Sequence, residues 1–312
     1  MEQKLASIRS KLWASIIKRA IKKTGEIKDI TNTRRDFSGN NKSFLANYWK
    51  KKKQINYLNF NIDGLPVLRL ENKEIQSNKT LLYLHGGGYV ACGPETHGAL
   101  ITELSLLSKS HVLFPIYRLA PENPFPAAIE DAISSYQYLL EEGINPKDIF
   151  IAGDSAGGGL TMALLQKIKE KNLPNPSCAI VISPWTDLTL SGKSMIERKD
   201  RDPMLTTGPG MNMLVKAYCG EEDPKNPLIS CIFADLEGMP PIQIQVASEE
   251  VIYDDSIRLQ DRLKKYEDNE VEFIEWDGLF HVFQAFCSGW LAIPEAKKSI
   301  KEMAKYSNRY IT

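Results

Sequence analysis

Three stretches of the chain carry residues whose types and spacing could do chemistry together. Gly153-Asp154-Ser155-Ala156-Gly157 has the form G-x-S-x-G. It follows the apolar run from Ile149 to Ala152 and precedes a run of helical period with Leu160, Met162, Ala163 and Leu164. A serine at a sharp strand-to-helix turn is forced into a strained backbone conformation that lifts its hydroxyl clear of the sheet. Small residues two before and two after keep such a turn free of clashes. Ser155 is therefore the candidate nucleophile, with Gly153, Asp154 and Gly157 shaping its turn. The helix that begins there points its N-terminal dipole at the site, where negative charge would develop.

The second stretch, His85-Gly86-Gly87-Gly88-Tyr89, ends another apolar run. Three consecutive glycines cost folding entropy and need a reason. Backbone N–H groups aimed at the oxyanion of a tetrahedral intermediate are a good one, since they stabilise it more than the ground state. The N–H groups of Gly86 and Gly87 are the expected donors, with that of Ala156 as a third. Losing one such donor costs about 10²–10³ in rate. His85 is expected to brace this loop through hydrogen bonds, and Gly88 belongs to the same turn. No P-loop lysine or G-x-G-x-x-G spacing accompanies the glycines, which argues against phosphate binding.

The third stretch supplies a base. The histidines are His85, His97, His111 and His281. His97 and His111 lie inside element-like segments and read as structural. His281 follows the last apolar run through the turn Asp277-Gly278-Leu279-Phe280 and comes late in the chain. Serine, acid, histidine is the chain order of a serine nucleophile on a strand–turn–helix. The acid should follow the run Ile242 to Ala247, where Glu249, Glu250, Asp254 and Asp255 stand. Nearness to the strand end favours Glu249 or Glu250. Asp254 and Asp255 are expected to cap a helix starting near Ser256. Either carboxylate type can accept the ring N–H, orient the imidazole and stabilise the imidazolium.

The elements that must position these residues alternate. Leu58 to Ile62 and Leu65 to Leu70 flank Asp63-Gly64, a hairpin signal that supplies an antiparallel edge. Short apolar runs follow at Leu81 to His85, Val112 to Tyr117, Ile149 to Gly153, Ala179 to Ser183, Ile242 to Ala247 and Val271 to Trp276. Several are continuously apolar, as strands covered on both faces are. Segments of helical period lie between them, notably 127–142, 156–171 and 256–266. The pattern predicts a mostly parallel sheet of about eight strands with helices on both faces. Residues 1–55 and the proline-containing stretch 185–238 break the alternation and are expected to form a helical cap over the C-terminal edge of the sheet, where open α/β sheets place their sites.

Composition narrows the class. The 312 residues carry 39 Lys plus Arg and 39 Asp plus Glu, a balance unlike that of a nucleic-acid binder. The five cysteines form no C-x-x-C pair, so neither a zinc site nor a disulfide framework is expected, and a reducing cytoplasm fits. No run approaches the ~18 apolar residues of a membrane span. Leu5, Ile8, Leu12, Ile16 and Ala20 fall at helical spacing, broken by Arg9, Lys11, Lys18 and Arg19. This reads as a basic amphipathic helix packed on the body of the protein, not as a signal peptide or a membrane anchor.

With these residues in view, the sequence resembles the hormone-sensitive-lipase-like family of α/β-hydrolases, which includes the bacterial family IV esterases. His85-Gly-Gly-Gly looks like its oxyanion motif and Gly153-Asp-Ser-Ala-Gly-Gly its nucleophile motif. Tyr117-Arg-Leu-Ala-Pro-Glu122, Ser183-Pro-Trp-Thr-Asp-Leu188, Asp202-Pro-Met-Leu205 and Asp277-Gly-Leu-Phe-His-Val-Phe283 are similar to further family stretches. The resemblance runs from about residue 60 to 290. It implies an α/β-hydrolase fold with a catalytic domain at 56–184 and 239–312, N-terminal cap helices at 1–55 and a cap insert at 185–238. The family's acid commonly stands in Asp-Pro-Leu-x-Asp; here the string is Glu250-Val-Ile-Tyr-Asp254, so Glu250 takes the acid's place and Asp254 is the runner-up.

The activity so implied is hydrolysis of short- to medium-chain acyl esters through an acyl-enzyme, with no cofactor and no metal. The partner would be a small-molecule ester, without nucleic acid or membrane contact. An exposed final strand could pair two copies into a homodimer. Lactone or amide hydrolysis would use the same triad. A non-catalytic receptor on this scaffold would lack a triad residue, whereas Ser155 and His281 are both present. Met204, Met211, Met213, Leu214, Trp13, Tyr48 and Trp49 are candidates for an apolar pocket or for the core of the cap.

Overall fold

The computed structural model describes residues 6–24, 30, 34 and 52–311. Through them runs one eight-stranded sheet in the order β1-β2-β4-β3-β5-β6-β7-β8. β1 (Ile55–Ile62) and β2 (Leu65–Asn72) form the expected hairpin, with Ile62 opposite Leu65. Its two-residue turn needs positive φ at both positions, and Asp63 and Gly64 supply φ of 47° and 90°. β3 (Thr80–Leu84), β4 (His111–Pro115), β5 (Ile149–Asp154), β6 (Cys178–Ile182), β7 (Ile242–Ala247) and β8 (Val271–Trp276) complete the sheet. β2 meets β4 antiparallel; every pairing from β4 to β8 is parallel.

Strand side chains alternate between two apolar layers, as the two-residue period dictates. Leu82, Ile151, Val181 and Ile244 enter one layer. Leu81, Phe150 and Ile180 enter the other. The first layer is closed by α3 (Ala127–Glu141), α4 (Ala156–Glu170) and α7 (Tyr253–Leu263) through Ile129, Leu160 and Leu259. The second is closed by α2 (Pro94–Ser108) and α8 (Pro294–Tyr310) through Leu104, Ile300 and Met303. Because helices cover both faces, β3, β5, β6 and β7 are buried along their whole length, which is why they read as unbroken apolar runs.

Between β6 and β7 the chain carries α5 (Ser194–Glu197) and α6 (Pro209–Cys219), and Met211, Leu214 and Tyr218 of α6 join the first layer. α1 (Ile8–Thr24) lies against the other side through Trp13, Ala14 and Ile17. The sequence pattern drew attention to Ile8, Leu12 and Ile16 instead, and these three are exposed. The helix packs on the body as expected, but by a different face. Trp13 sets it: its ring meets Phe286 at 4.8 Å and its Nε1–H donates to the Leu291 carbonyl at 2.9 Å. Tyr48 and Trp49 lie outside the described residues. A second difference concerns α7. It begins at Tyr253, not near Ser256, so Asp254 and Asp255 lie inside its first turn and do not cap it from outside.

Candidate active site

β5 delivers Ser155 and α4 begins immediately after it. The Ser155 backbone is held at φ 53°, ψ −123°, a conformation that non-glycine residues avoid. The neighbours show why small residues flank it. A Cβ on Gly153 would stand 2.2 Å from the Gly157 carbonyl oxygen, and one on Gly157 would stand 2.1 Å from the Leu84 oxygen. Such contacts are impossible, so the turn exists only with glycine at both positions.

The loop after β8 brings His281 to this serine. His281 Nε2 lies 2.9 Å from Ser155 Oγ, and Nδ1 lies 3.0 Å from Glu250 Oε2. The other Glu250 oxygen accepts the Ser183 hydroxyl at 2.7 Å and the Ala247 N–H at 2.6 Å. Glu250 and His281 are buried and Ser155 is 8% exposed. An imidazole whose Nδ1–H donates to a carboxylate presents Nε2 as an acceptor to the serine hydroxyl, the tautomer a general base requires. Burial alone would push the His281 ring down. Its hydrogen bond to Glu250 and the charges of Glu250, Asp202 and Asp154 outweigh burial and hold it above the ordinary histidine value.

Of the four acids after β7, the structure brings Glu250 to the histidine. Asp254 Oδ2 instead accepts the Ser194 N–H at 3.1 Å, at the start of α5. Glu249 takes the Ser248 hydroxyl at 3.2 Å. Asp255 accepts the N–H groups of Thr186 and Asp187 at 2.7 and 2.8 Å.

The glycine loop departs from its expected use at one position. The Gly86 N–H donates to Asp154 Oδ1 at 3.1 Å, so it is turned into the protein and unavailable to a ligand. Gly87 and Gly88, by contrast, line the cavity in front of Ser155. Gly86 is required by close approach: a Cβ there would lie 2.3 Å from Asp154 Oδ2. Gly87 is required by its φ of 116°. Asp154 is the loop's anchor. It also accepts the Tyr83 hydroxyl at 2.8 Å and faces His97 Nε2 at 3.1 Å. Burial would raise the Asp154 carboxyl, but His97 and Tyr83 outweigh it and hold it below the usual carboxylate range.

His85 stacks on Tyr117 with ring centroids 4.2 Å apart, and its Nδ1 lies 2.7 Å from the Gly86 carbonyl oxygen. Burial and the nearby His97 push it down to about 3, so the ring is neutral and Nδ1 carries the proton it donates. Asp202 and Ser183 stand in family-like stretches but carry no role in the sequence reading, which takes His97 as structural.

The cavity holds about 250 Å³, below the range usual for drug-sized ligands. Trp185, Met204, Leu205, Met211, Leu214 and Phe286 form its apolar wall. Met204, Met211 and Leu214 were pocket candidates by sequence; Met213 does not line the cavity, and Trp13 sits behind Phe286. Among the described residues no cluster of His, Cys, Asp or Glu could hold a metal ion. Among them, too, no helix is long and apolar enough to cross a membrane.

Known proteins are similar to this chain. A family described by the alpha/beta hydrolase fold matches residues 81–285. An acetyl-hydrolase of Streptomyces hygroscopicus is 41% identical over 226 residues, covering 72% of this chain and 74% of that protein. An esterase of Acinetobacter venetianus is 36% identical over 246 residues, covering 78% and 80%. A crystal structure of an esterase from the bacterial hormone-sensitive lipase family superposes with a TM-score of 0.90 at 30% identity, over 99% of this chain and 100% of that one. The esterase EstE5, soaked with p-nitrophenyl butyrate, gives 0.89 at 33% identity over 98% and 99%. With a buried serine–histidine–glutamate line at the edge of a mostly parallel eight-stranded sheet, and relatives of this kind along most of its length, the chain belongs to the hormone-sensitive-lipase-like family of α/β-hydrolases.

Proposed function

We propose that the protein is a serine carboxylester hydrolase acting on short- to medium-chain acyl esters, with Ser155 as nucleophile, His281 as base and Glu250 as the acid that orients it. The observation that carries this reading is the unbroken line Ser155 Oγ–His281 Nε2 at 2.9 Å and His281 Nδ1–Glu250 Oε2 at 3.0 Å. His281 takes the hydroxyl proton as Ser155 attacks the ester carbonyl, then gives it to the leaving alcohol. Water, deprotonated by the same ring, attacks the acyl-enzyme and releases the acid. The oxyanion is held by the N–H groups of Gly87, Gly88 and Ala156. This moves the loop's contribution one residue along from Gly86, whose N–H is spent on Asp154.

The small apolar cavity supports short acyl chains. Residues 185–238, with α1, act as a cap over it, since Trp185, Met204, Leu205, Met211 and Leu214 all come from that insert. The test is hydrolysis of p-nitrophenyl esters from acetate to palmitate by wild type and Ser155→Ala. The expected result is turnover of the short esters, falling steeply with chain length, and a loss in the variant on the order of 10⁴ or more in kcat. A folded wild type inert on every ester, or a Ser155→Ala protein that keeps its rate, would overturn the reading.

A further inference from the structure

Asp202 lies in the insert between β6 and β7, forty-nine residues from the triad acid's loop, and is 5% exposed. Its Oδ1 accepts the Met204 N–H at 2.8 Å and sits 3.4 Å from the Leu205 nitrogen. Its Oδ2 accepts the Val251 N–H at 3.2 Å. Met204 and Leu205 are cavity wall, and Val251 follows Glu250 directly. One carboxylate thus fastens the substrate wall to the peptide that carries the acid.

Both oxygens accept, so a neutral amide, with its single acceptor oxygen, keeps only one side of this tie. Burying a second carboxylate beside Glu250 is costly, because like charges in a poorly solvated site repel and lose hydration. The compensating group is the imidazole. His281 is faced by Glu250 through a hydrogen bond and by Asp202 and Asp154 through charge. Asp202 is faced in turn by His281 and Glu250. Two arginines of the same insert are turned elsewhere: Arg198 donates to the Ser248 carbonyl, and Arg201 lies 3.9 Å from Glu249.

Resting on the triad reading above, we infer that Asp202 is a positioning residue of the catalytic machinery: it fixes the Glu250 loop against the cavity wall and places a second negative charge toward the imidazole that must become cationic. Burial pushes the Asp202 carboxyl up to about 6, so the charge is in place across the range where a neutral His281 works as base. The imidazolium forms only during acyl transfer. A fixed negative charge near it therefore favours the transition state over the resting enzyme.

The test compares pH profiles of kcat/KM on p-nitrophenyl butyrate for wild type, Asp202→Asn and Asp255→Asn. Asp202→Asn keeps one of the two backbone acceptors and removes the charge, so the pH limb reads the charge and the rate also carries the lost tie. Its acid limb should move down by about half to one pH unit, because the imidazolium loses a neighbour that stabilised it. Its plateau kcat should fall up to about tenfold, with KM changed less. Asp255→Asn alters a buried carboxyl that also fastens backbone N–H groups; burial pushes it up to about 8, so the change removes no charge at the acid limb and controls for a disturbed backbone tie alone. Its limb should stay with wild type. Asp202→Ser, smaller and still an acceptor, gives the same reading if the asparagine variant does not fold. A folded Asp202 variant whose limb superimposes on wild type overturns the inference. Failure of the triad reading shows differently, as activity that survives Ser155→Ala.

Discussion

The imidazole of His281 is held between Ser155 Oγ and Glu250 Oε2, and this fixes the sign of the pH dependence. In the proposed mechanism the neutral ring is the base, so the protonated ring is the inactive form. Because the Glu250 hydrogen bond and the surrounding carboxylates outweigh burial, the ring keeps its proton to a higher pH than an ordinary histidine. The acid limb of kcat/KM should therefore have its midpoint above the ordinary 6.5, rising to a plateau as pH increases. Steady-state profiles with a short p-nitrophenyl ester measure it. Glu250→Gln should move the midpoint down and cost on the order of 10⁴ in kcat. A midpoint at or below 6.5 in wild type would mean that burial dominates and that the carboxylates do not support the ring.

At the scale of the elements, the first turn of α7 does more than start a helix. Fully buried Asp255 gathers the N–H groups of Thr186 and Asp187, which fixes the chain as it leaves β6 for the insert. Asp255→Ala leaves two buried donors without acceptors and should lower stability by about 2–4 kcal/mol. Urea unfolding should show this as a lower midpoint at unchanged slope. A change under about 0.5 kcal/mol would mean that solvent reaches those amides.

The same elements show what was legible beforehand. All eight strands were readable, since interior parallel strands are apolar on both faces and the Asp63-Gly64 turn announces itself. The meeting of Ser155 with His281 was readable from local context, whereas position after β7 left Glu249 and Glu250 open and the family resemblance put Glu250 in the acid's place, with Asp254 as runner-up. Gly86 was misplaced because a glycine run reveals where backbone can approach, not which way each peptide faces; the Asp154 carboxylate decides that. α1 buried an unexpected face because Trp13 found Phe286, a partner far along the chain. Asp202 stood in a family-like stretch, but nothing local pointed to its tie with the Glu250 loop, since Val251 is forty-nine residues away.

At the scale of the whole molecule, the proposed function assigns the chemistry to the sheet and the selectivity to the chain between β6 and β7. Ser155, Glu250 and His281 follow β5, β7 and β8, all at the same edge of parallel strands, so one sheet holds all three in register. The insert lines the cavity at that edge through Trp185, Met204, Leu205, Met211 and Leu214, and Trp13 of α1 packs behind Phe286. Phe286 links them, lining the cavity on one side and meeting Trp13 on the other. Each part of this arrangement is organised around one oxygen atom. The most direct measurement is therefore capture of the nucleophile. The protein is incubated with a p-nitrophenyl phosphonate ester, p-nitrophenol release is counted against protein, and the modified peptide is identified by mass spectrometry. One phosphonyl group per chain on Ser155, with parallel loss of esterase activity and no reaction in Ser155→Ala, is the predicted result. Modification at another residue, or full esterase activity in a protein quantitatively modified at Ser155, would contradict the account.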